Sequence, residues 1–165
     1  MARRVFYSFH YKPDNWRASQ VRNIGTVEGN TPVSDNGWEK ITGGGAAAIK
    51  KWINKQLVGR SCTIVLIGAR TAGRKYIDYE IEKSWNSGKG VLGIYIHKLK
   101  NKDGKQSTKG KNPFYDFTVG KDKKRLSSIV KAYNPPYLTS TYVYGYIKKN
   151  LSAWVKEAIT IRNNY

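Results

Sequence analysis

SCTIVLIGARTAGRKYIDYEIE, Ser61 to Glu82, joins three pieces in the order that α/β proteins use to build a nucleotide site. Residues 62 to 67 are a nearly continuous apolar run, the signature of a strand covered on both faces. Gly68 to Gly73 is a tight, glycine-bounded connection. The apolar residues after it recur at helical spacing and predict a helix from about residue 74 to Gly88.

The acids of that helix are not equivalent. At roughly 100° per residue from Ile77, Ile81 falls at about 40°, Ser84 at about 340° and Trp85 at about 80°, a face packed on the sheet. Glu80 at about 300° and Tyr76 at about 260° share one rim of that face, one turn apart. Asp78 and Glu82 fall on the other side, toward solvent. Glu80 alone combines partial burial with nearness to the loop end. Two readings of it stand: a functional acid, or a boundary acid paired with Lys83 or a nearby Arg.

Outward from this stretch, strands and helices alternate. Residues 3 to 9, rich in aromatic and β-branched side chains, predict the first strand. Pro13 and Asp14 start a helix running through Trp16, Val21 and Ile24 to Gly25. Residues 26 to 37 read as a loop with a short strand near Val27. Gly43-Gly44-Gly45 precedes an amphipathic helix whose Ile49, Trp52, Ile53 and Leu57 share a face. Val91 to Ile96 is a further apolar strand. Residues 97 to 120 read as a long polar insertion, and 129 to 133 as a short edge strand. A last helix spans about 140 to 162. The fold class is therefore α/β, a mostly parallel sheet of about five strands flanked by helices, in one domain covering residues 1–165. Ligands of such sheets bind beyond the carboxyl ends of the strands, where strand order reverses.

Ser8, Phe9 and His10 end the first strand and point toward the edge that holds the loop before Glu80. Phe9 can stack on a base or join the core; His10 can bond a ribose or phosphate or cap the surface. Arg70 and Arg74 can meet a pyrophosphate or stand in solvent. Gly43 to Gly45 lacks the Lys-Ser/Thr ending of a P-loop, which favours a flexible helix entry. Tyr137, Tyr142, Tyr144 and Tyr146 offer an interface or packing against the sheet.

Thirty Lys and Arg oppose eleven Asp and Glu, a net charge of +19. That excess favours polyanions or phosphorylated small molecules. Ten of the cations lie in residues 98 to 125 against three Asp, in a Gly-, Asn- and Ser-containing stretch that reads as a solvated loop. With no zinc-finger spacing and no basic heptads, a nucleic-acid partner is not expected. No run approaches the ~18 apolar residues of a membrane span. The apolar part of the N-terminus is too short and aromatic for a secretory signal. The single cysteine, Cys62, forms no internal disulfide and sits in a core strand, so a cytoplasmic location is expected. Two histidines and no carboxylate cluster at ligand spacing argue against a metal site.

Four blocks, taken in order, carry a family resemblance: Val5 to His10 (VFYSFH), Ser61 to Gly68 (SCTIVLIG), Arg74 to Ile81 (RKYIDYEI), and Gly90 to Ile96 (GVLGIYI) followed by Asn112-Pro113-Phe114. Together they resemble the TIR-like family of the Thoeris anti-phage defence system. The resemblance implies a flavodoxin-like TIR fold that consumes NAD as substrate, with no resident cofactor. The family's catalytic glutamate lies in an aromatic-x-x-x-Glu-Ile setting, matched here by Tyr76 and Glu80. Many members carry Trp where this chain has Tyr76. The region holding Trp38 and Lys40 resembles the family's mobile loop, which implies contact with substrate or a neighbouring subunit. The resemblance also implies a cyclic ADP-ribose-type product that reaches a separate effector protein, with homo-oligomerisation or a phage-derived trigger switching the enzyme on. Ser8, Phe9, His10, Trp38, Arg74 and Tyr76 are the expected substrate-binding residues beside catalytic Glu80. A non-enzymatic TIR-like assembly module and a basic nucleic-acid-binding protein are the alternatives.

Overall fold

The computed structural model describes residues 3–30 and 45–165. Five parallel strands form the central sheet: β1 (Arg3–Ser8), β2 (Val27–Glu28), β3 (Cys62–Ile67), β4 (Gly90–Tyr95) and, after a small hairpin, β7 (Ala132–Tyr133). Their spatial order is β2-β1-β3-β4-β7. The register places Val5 opposite Cys62 and Cys62 opposite Gly90. Taken in chain order within the sheet, this is the 2-1-3-4-5 arrangement of flavodoxin-like folds, with the reversal between β1 and β3. The hairpin pairs β5 (Thr118–Val119) with β6 (Lys124–Arg125) antiparallel, apart from the main sheet. Sequence reading did not anticipate it.

Every residue of β3 and β4 is buried, as the unbroken apolar run of β3 requires. Helices cover both faces. Helix α1 (Tyr11–Arg22) and the last helix, α4 (Ser140–Asn163), pack on the face carrying Val5, Ile64, Leu66 and Leu92. Val143, Ile147, Leu151, Trp154, Val155 and Ala158 form the buried stripe of α4. Each large side chain so buried stabilises the fold by about 1.5–3 kcal/mol. Helices α2 (Ala46–Leu57) and α3 (Lys75–Asn86) cover the other face. There Ile49, Ile53 and Leu57 meet Phe6, while Ile77, Ile81 and Trp85 meet Val65, Ile67 and Val91.

Two sequence expectations change. Helix α1 ends at Arg22, short of Ile24, and its Trp16 is 55% exposed. The polar stretch after β4 is not simply a solvated loop, because Leu99 and Phe114 are fully buried anchors within it. It is also tied to α1. The Arg17 guanidinium, itself buried, donates to the Leu99 carbonyl (2.8 Å) and the Lys105 carbonyl (2.9 Å) and pairs with Asp14 at 3.2 Å. The aromatic set at the start of the last helix divides between packing and exposure, the two readings its sequence offers. Tyr146 packs on Trp154, whereas Tyr137 and Tyr142 touch each other and face solvent.

Cys62 is buried, and burial pushes its thiol up to about 12, so it is packing rather than a nucleophile. Among the described residues no helix is long and apolar enough to cross a membrane, and no group of three His, Cys, Asp or Glu side chains is placed to hold a metal ion.

Candidate active site

Strand order reverses between β1 and β3, and there the carboxyl ends of the strands open into a cavity of about 700 Å³. That size lies within the range of small-molecule and cofactor sites. Its walls come from the end of β1, the first turn of α1, one side of α2 and the first turns of α3. Helices α1 and α3 both point their N-termini at it. Their N-caps, His10 and Arg74, make no side-chain capping bond. The first-turn N–H groups therefore lend partial positive charge to this end of the cavity.

Glu80 is the one acid among the described residues lining it. The helical reading placed Glu80 on a partly buried rim; in the fold it is only 6% exposed. The rim is closed over by β1 and α2, which a single-helix projection does not show. The alternative of a Lys83 or Arg partner also fails: among the described residues, no cation forms an ion pair with Glu80. Its carboxylate instead accepts a hydrogen bond from the Ser8 hydroxyl, Oγ to Oε1 3.1 Å, across 72 positions of sequence. Burial pushes the Glu80 carboxyl up to about 8, and the Ser8 bond offsets this only in part. At neutral pH the acid is held mostly protonated.

The backbone beneath Glu80 is pinned as firmly as its side chain. Ser84 Oγ donates to the Glu80 carbonyl at 2.6 Å. Having one hydrogen, Ser84 then accepts from Thr63 Oγ1, 2.7 Å away on β3. Both hydroxyls are buried, so this chain fixes the register of α3 on the sheet and the depth at which Glu80 sits. The loop between β3 and α3 is held in turn by the Thr71 hydroxyl, which accepts from the Gly68 N–H at 2.8 Å. Gly68 has no room for a side chain: a Cβ there would stand 2.0 Å from the Asp14 carboxylate.

Of the residues expected from sequence, Phe9, His10, Arg74 and Tyr76 line the cavity together with Glu80. Ser8 joins them through its bond to Glu80 and is itself only 1% exposed, so it meets the acid before any ligand. Arg70 is not among the lining residues. Trp38, Lys40, Gly43 and Gly44 lie outside the described residues. Sequence reading missed Trp52, Tyr11, Lys12 and Lys75, all of which line the cavity. Helical spacing puts Trp52 on the apolar face of α2 with Ile49, but in the fold it is only half-buried, packed at the margin of that cluster. Tyr11 stacks near Phe9, centroids 6.2 Å apart. Lys75 reaches over the Tyr76 ring, 5.5 Å from its centroid.

Among the described residues the site thus combines aromatic walls, exposed cations at Lys12, Arg74 and Lys75, and one deep carboxyl that forms no ion pair. Aromatic faces can stack on planar rings, and cations beside two helix N-termini can meet phosphates. A carboxyl with no ion-pair partner among the described residues is placed to meet positive charge brought or developed by a ligand.

The family model described as Thoeris protein ThsB, TIR-like domain, matches residues 6–101, which include the second half of β1, all of β3 and α3, and Glu80. A relative from Bacillus cereus (strain MSX-D12), named as a putative cyclic ADP-D-ribose synthase ThsB1, is 39% identical over 119 residues. That match covers 69% of this chain and 62% of the relative, so the chain spans less than two thirds of the relative's length.

Proposed function

The chain belongs to the TIR-like domain family of the Thoeris protein ThsB, and on that premise we propose that it cleaves the nicotinamide–ribose bond of NAD and makes a cyclic ADP-ribose-type signal. The observation that carries the reading is the buried Glu80 carboxyl at the strand-order reversal, bonded to Ser8 and without an ion pair among the described residues, in a cavity that otherwise offers aromatic and cationic walls. The name of the Bacillus cereus relative supports the class of product.

The chemistry follows from charge. When the C1′–N bond breaks, its electron pair goes to the pyridine nitrogen and nicotinamide leaves neutral. The ribose is left with oxocarbenium character, as in glycoside cleavage. No strong general acid is needed for that leaving group. Glu80, ionised, stabilises the developing cation and orients the ribose through its hydroxyls. The cationic nicotinamide ring of the bound dinucleotide favours ionisation of Glu80, releasing the proton that burial otherwise keeps on it. Tyr76 and Trp52 offer faces for a ring, and Lys12, Arg74 and Lys75 offer charge to the pyrophosphate. The anomeric carbon is then captured either by water or by a nucleophile of the same dinucleotide. Capture from within conserves the bond count, with the proton of the attacking group passing to solvent, and is favoured where the chain holds both ends close and excludes water. The product would reach an effector protein by diffusion, as the Thoeris resemblance implies.

The test is to incubate the protein with NAD and weigh the products. Nicotinamide appearing together with a species lighter than ADP-ribose by one water supports cyclisation. Nicotinamide with ADP-ribose alone limits the reading to hydrolysis, and bound but uncleaved NAD contradicts it.

A further inference from the structure

Large apolar side chains left in solvent are informative when they gather in one place. Of seven such exposed side chains among the described residues, four are Trp16, Tyr137, Leu138 and Tyr142. All four lie around the start of α4. Trp16, 55% exposed, and Leu138, 80% exposed, face each other across a groove of about 510 Å³ that Tyr144 also lines. Tyr137 and Tyr142, 5.9 Å apart, extend the apolar surface from positions adjoining it.

The groove is built, not a gap between loose segments. Gln106 donates from its side-chain amide to both the Lys98 carbonyl (2.8 Å) and the Leu138 carbonyl (2.7 Å), zipping two loops into one floor. Gln20 donates to the Lys100 carbonyl, and the Ser140 hydroxyl accepts from the Lys100 N–H. The buried Arg17 clamps the same loop to α1 from below. Among its described lining residues, Lys100 is the single charged side chain and no acid is present. The loop that flanks it, residues 98 to 105, carries four Lys against one Asp.

We propose that this groove docks an acidic protein segment bearing an apolar anchor, with Trp16 and Leu138 gripping the anchor and the lysines of residues 98 to 105 meeting the acids. Charge decides between occupants. A second copy would bring another +19 to the same place and be repelled, whereas an acidic segment is steered in. The inference rests on this surface and not on the reaction at Glu80. The two sites share one element all the same: Tyr11 and Lys12 of α1 line the Glu80 cavity, and Trp16 and Gln20 of the same helix line the groove.

The experiment is a selection of a random peptide display library on the full chain, counter-selected against the double variant Trp16→Ala/Leu138→Ala. Both side chains are exposed, and equal thermal melts of the two proteins establish that folding is intact. The expected winners are net acidic with Leu, Phe or Trp among the acids. Synthesised, they lose roughly tenfold or more in affinity on truncation of either anchor. Their binding also weakens with salt. Winners that are neutral or basic, that bind the double variant equally, or that are displaced by NAD overturn the proposal. So does enrichment of no sequence on the native chain over the variant, or sedimentation as a dimer that Trp16→Ala dissolves.

Discussion

Glu80→Gln exchanges an ionisable buried carboxyl for a neutral side chain of the same shape that still offers Ser8 an acceptor oxygen. Its effect on stability can be worked from the site. The folded carboxyl titrates at about 8, raised by burial from an ordinary 4.5. A group raised in this way contributes stability that is complete below about pH 4.5 and is lost as pH climbs through 8. Between those limits the folded chain keeps the proton and the unfolded chain has shed it. Each pH unit then costs about 1.4 kcal/mol, and the step from pH 5 to pH 7 costs on the order of 3 kcal/mol. For a domain of this size that is roughly 6–12 °C in melting temperature. The variant is free of this loss, and the titrations of Asp14 and His97, common to both proteins, cancel in the difference. The assay is a pair of thermal melts at half-unit steps from pH 5 to 8.5. Near pH 5 the two proteins should melt together; toward pH 8 the variant should melt progressively higher. A difference that stays constant with pH, or a variant less stable at pH 7.5, would show that Glu80 ionises as an ordinary carboxylate and would refute its isolation from charge and water.

Three further outcomes follow from the same geometry. Cleavage that needs the Glu80 carboxylate should show kcat/KM for NAD rising with pH to a plateau above about 8 in the native chain, and Ser8→Ala, which removes the hydroxyl bonded to the charged form, should move that midpoint upward by about one unit; an unmoved midpoint with lower amplitude would make Ser8 merely structural. Trp52→Ala should raise KM for NAD by about tenfold with a smaller change in kcat, and Trp52→Phe should recover part of it; an unchanged KM in steady-state assays would remove Trp52 from the substrate. Arg17→Met, which strands the buried Asp14 and frees the Leu99 and Lys105 carbonyls, should cost about 3 kcal/mol in urea unfolding, and adding Asp14→Asn should restore part of the loss.

Much of the sheet was legible because burial on two faces leaves an unbroken apolar run, as residues 62 to 67 do, and few other arrangements tolerate one. The helix after it was legible through its angles, which separated Glu80 from Asp78 and Glu82 and put Tyr76 beside it. The angles say which way a side chain leaves its own helix. They say nothing of what closes over it, so the depth of Glu80 and its bond to Ser8, 72 residues away, lay beyond local pattern. The same limit hid Trp52, whose position at the edge of an apolar face reads as core until a cavity is seen beside it. The stretch after β4 misled for another reason. Leu99 and Phe114 are single anchors without periodicity in a lysine-rich run, and composition outweighed them. Trp16 looked like part of a helical face, and only the packing of α1 through Ala18 and Val21 shows that it points away from the core.

The most direct test of the account is the rate of nicotinamide release from NAD by the native chain and by Glu80→Gln, under conditions where the native chain is active and both proteins are shown to be folded. If Glu80 carries the charge stabilisation, the variant should be slower by about a hundredfold to a thousandfold or more. Equal rates in the two proteins would contradict the central claim.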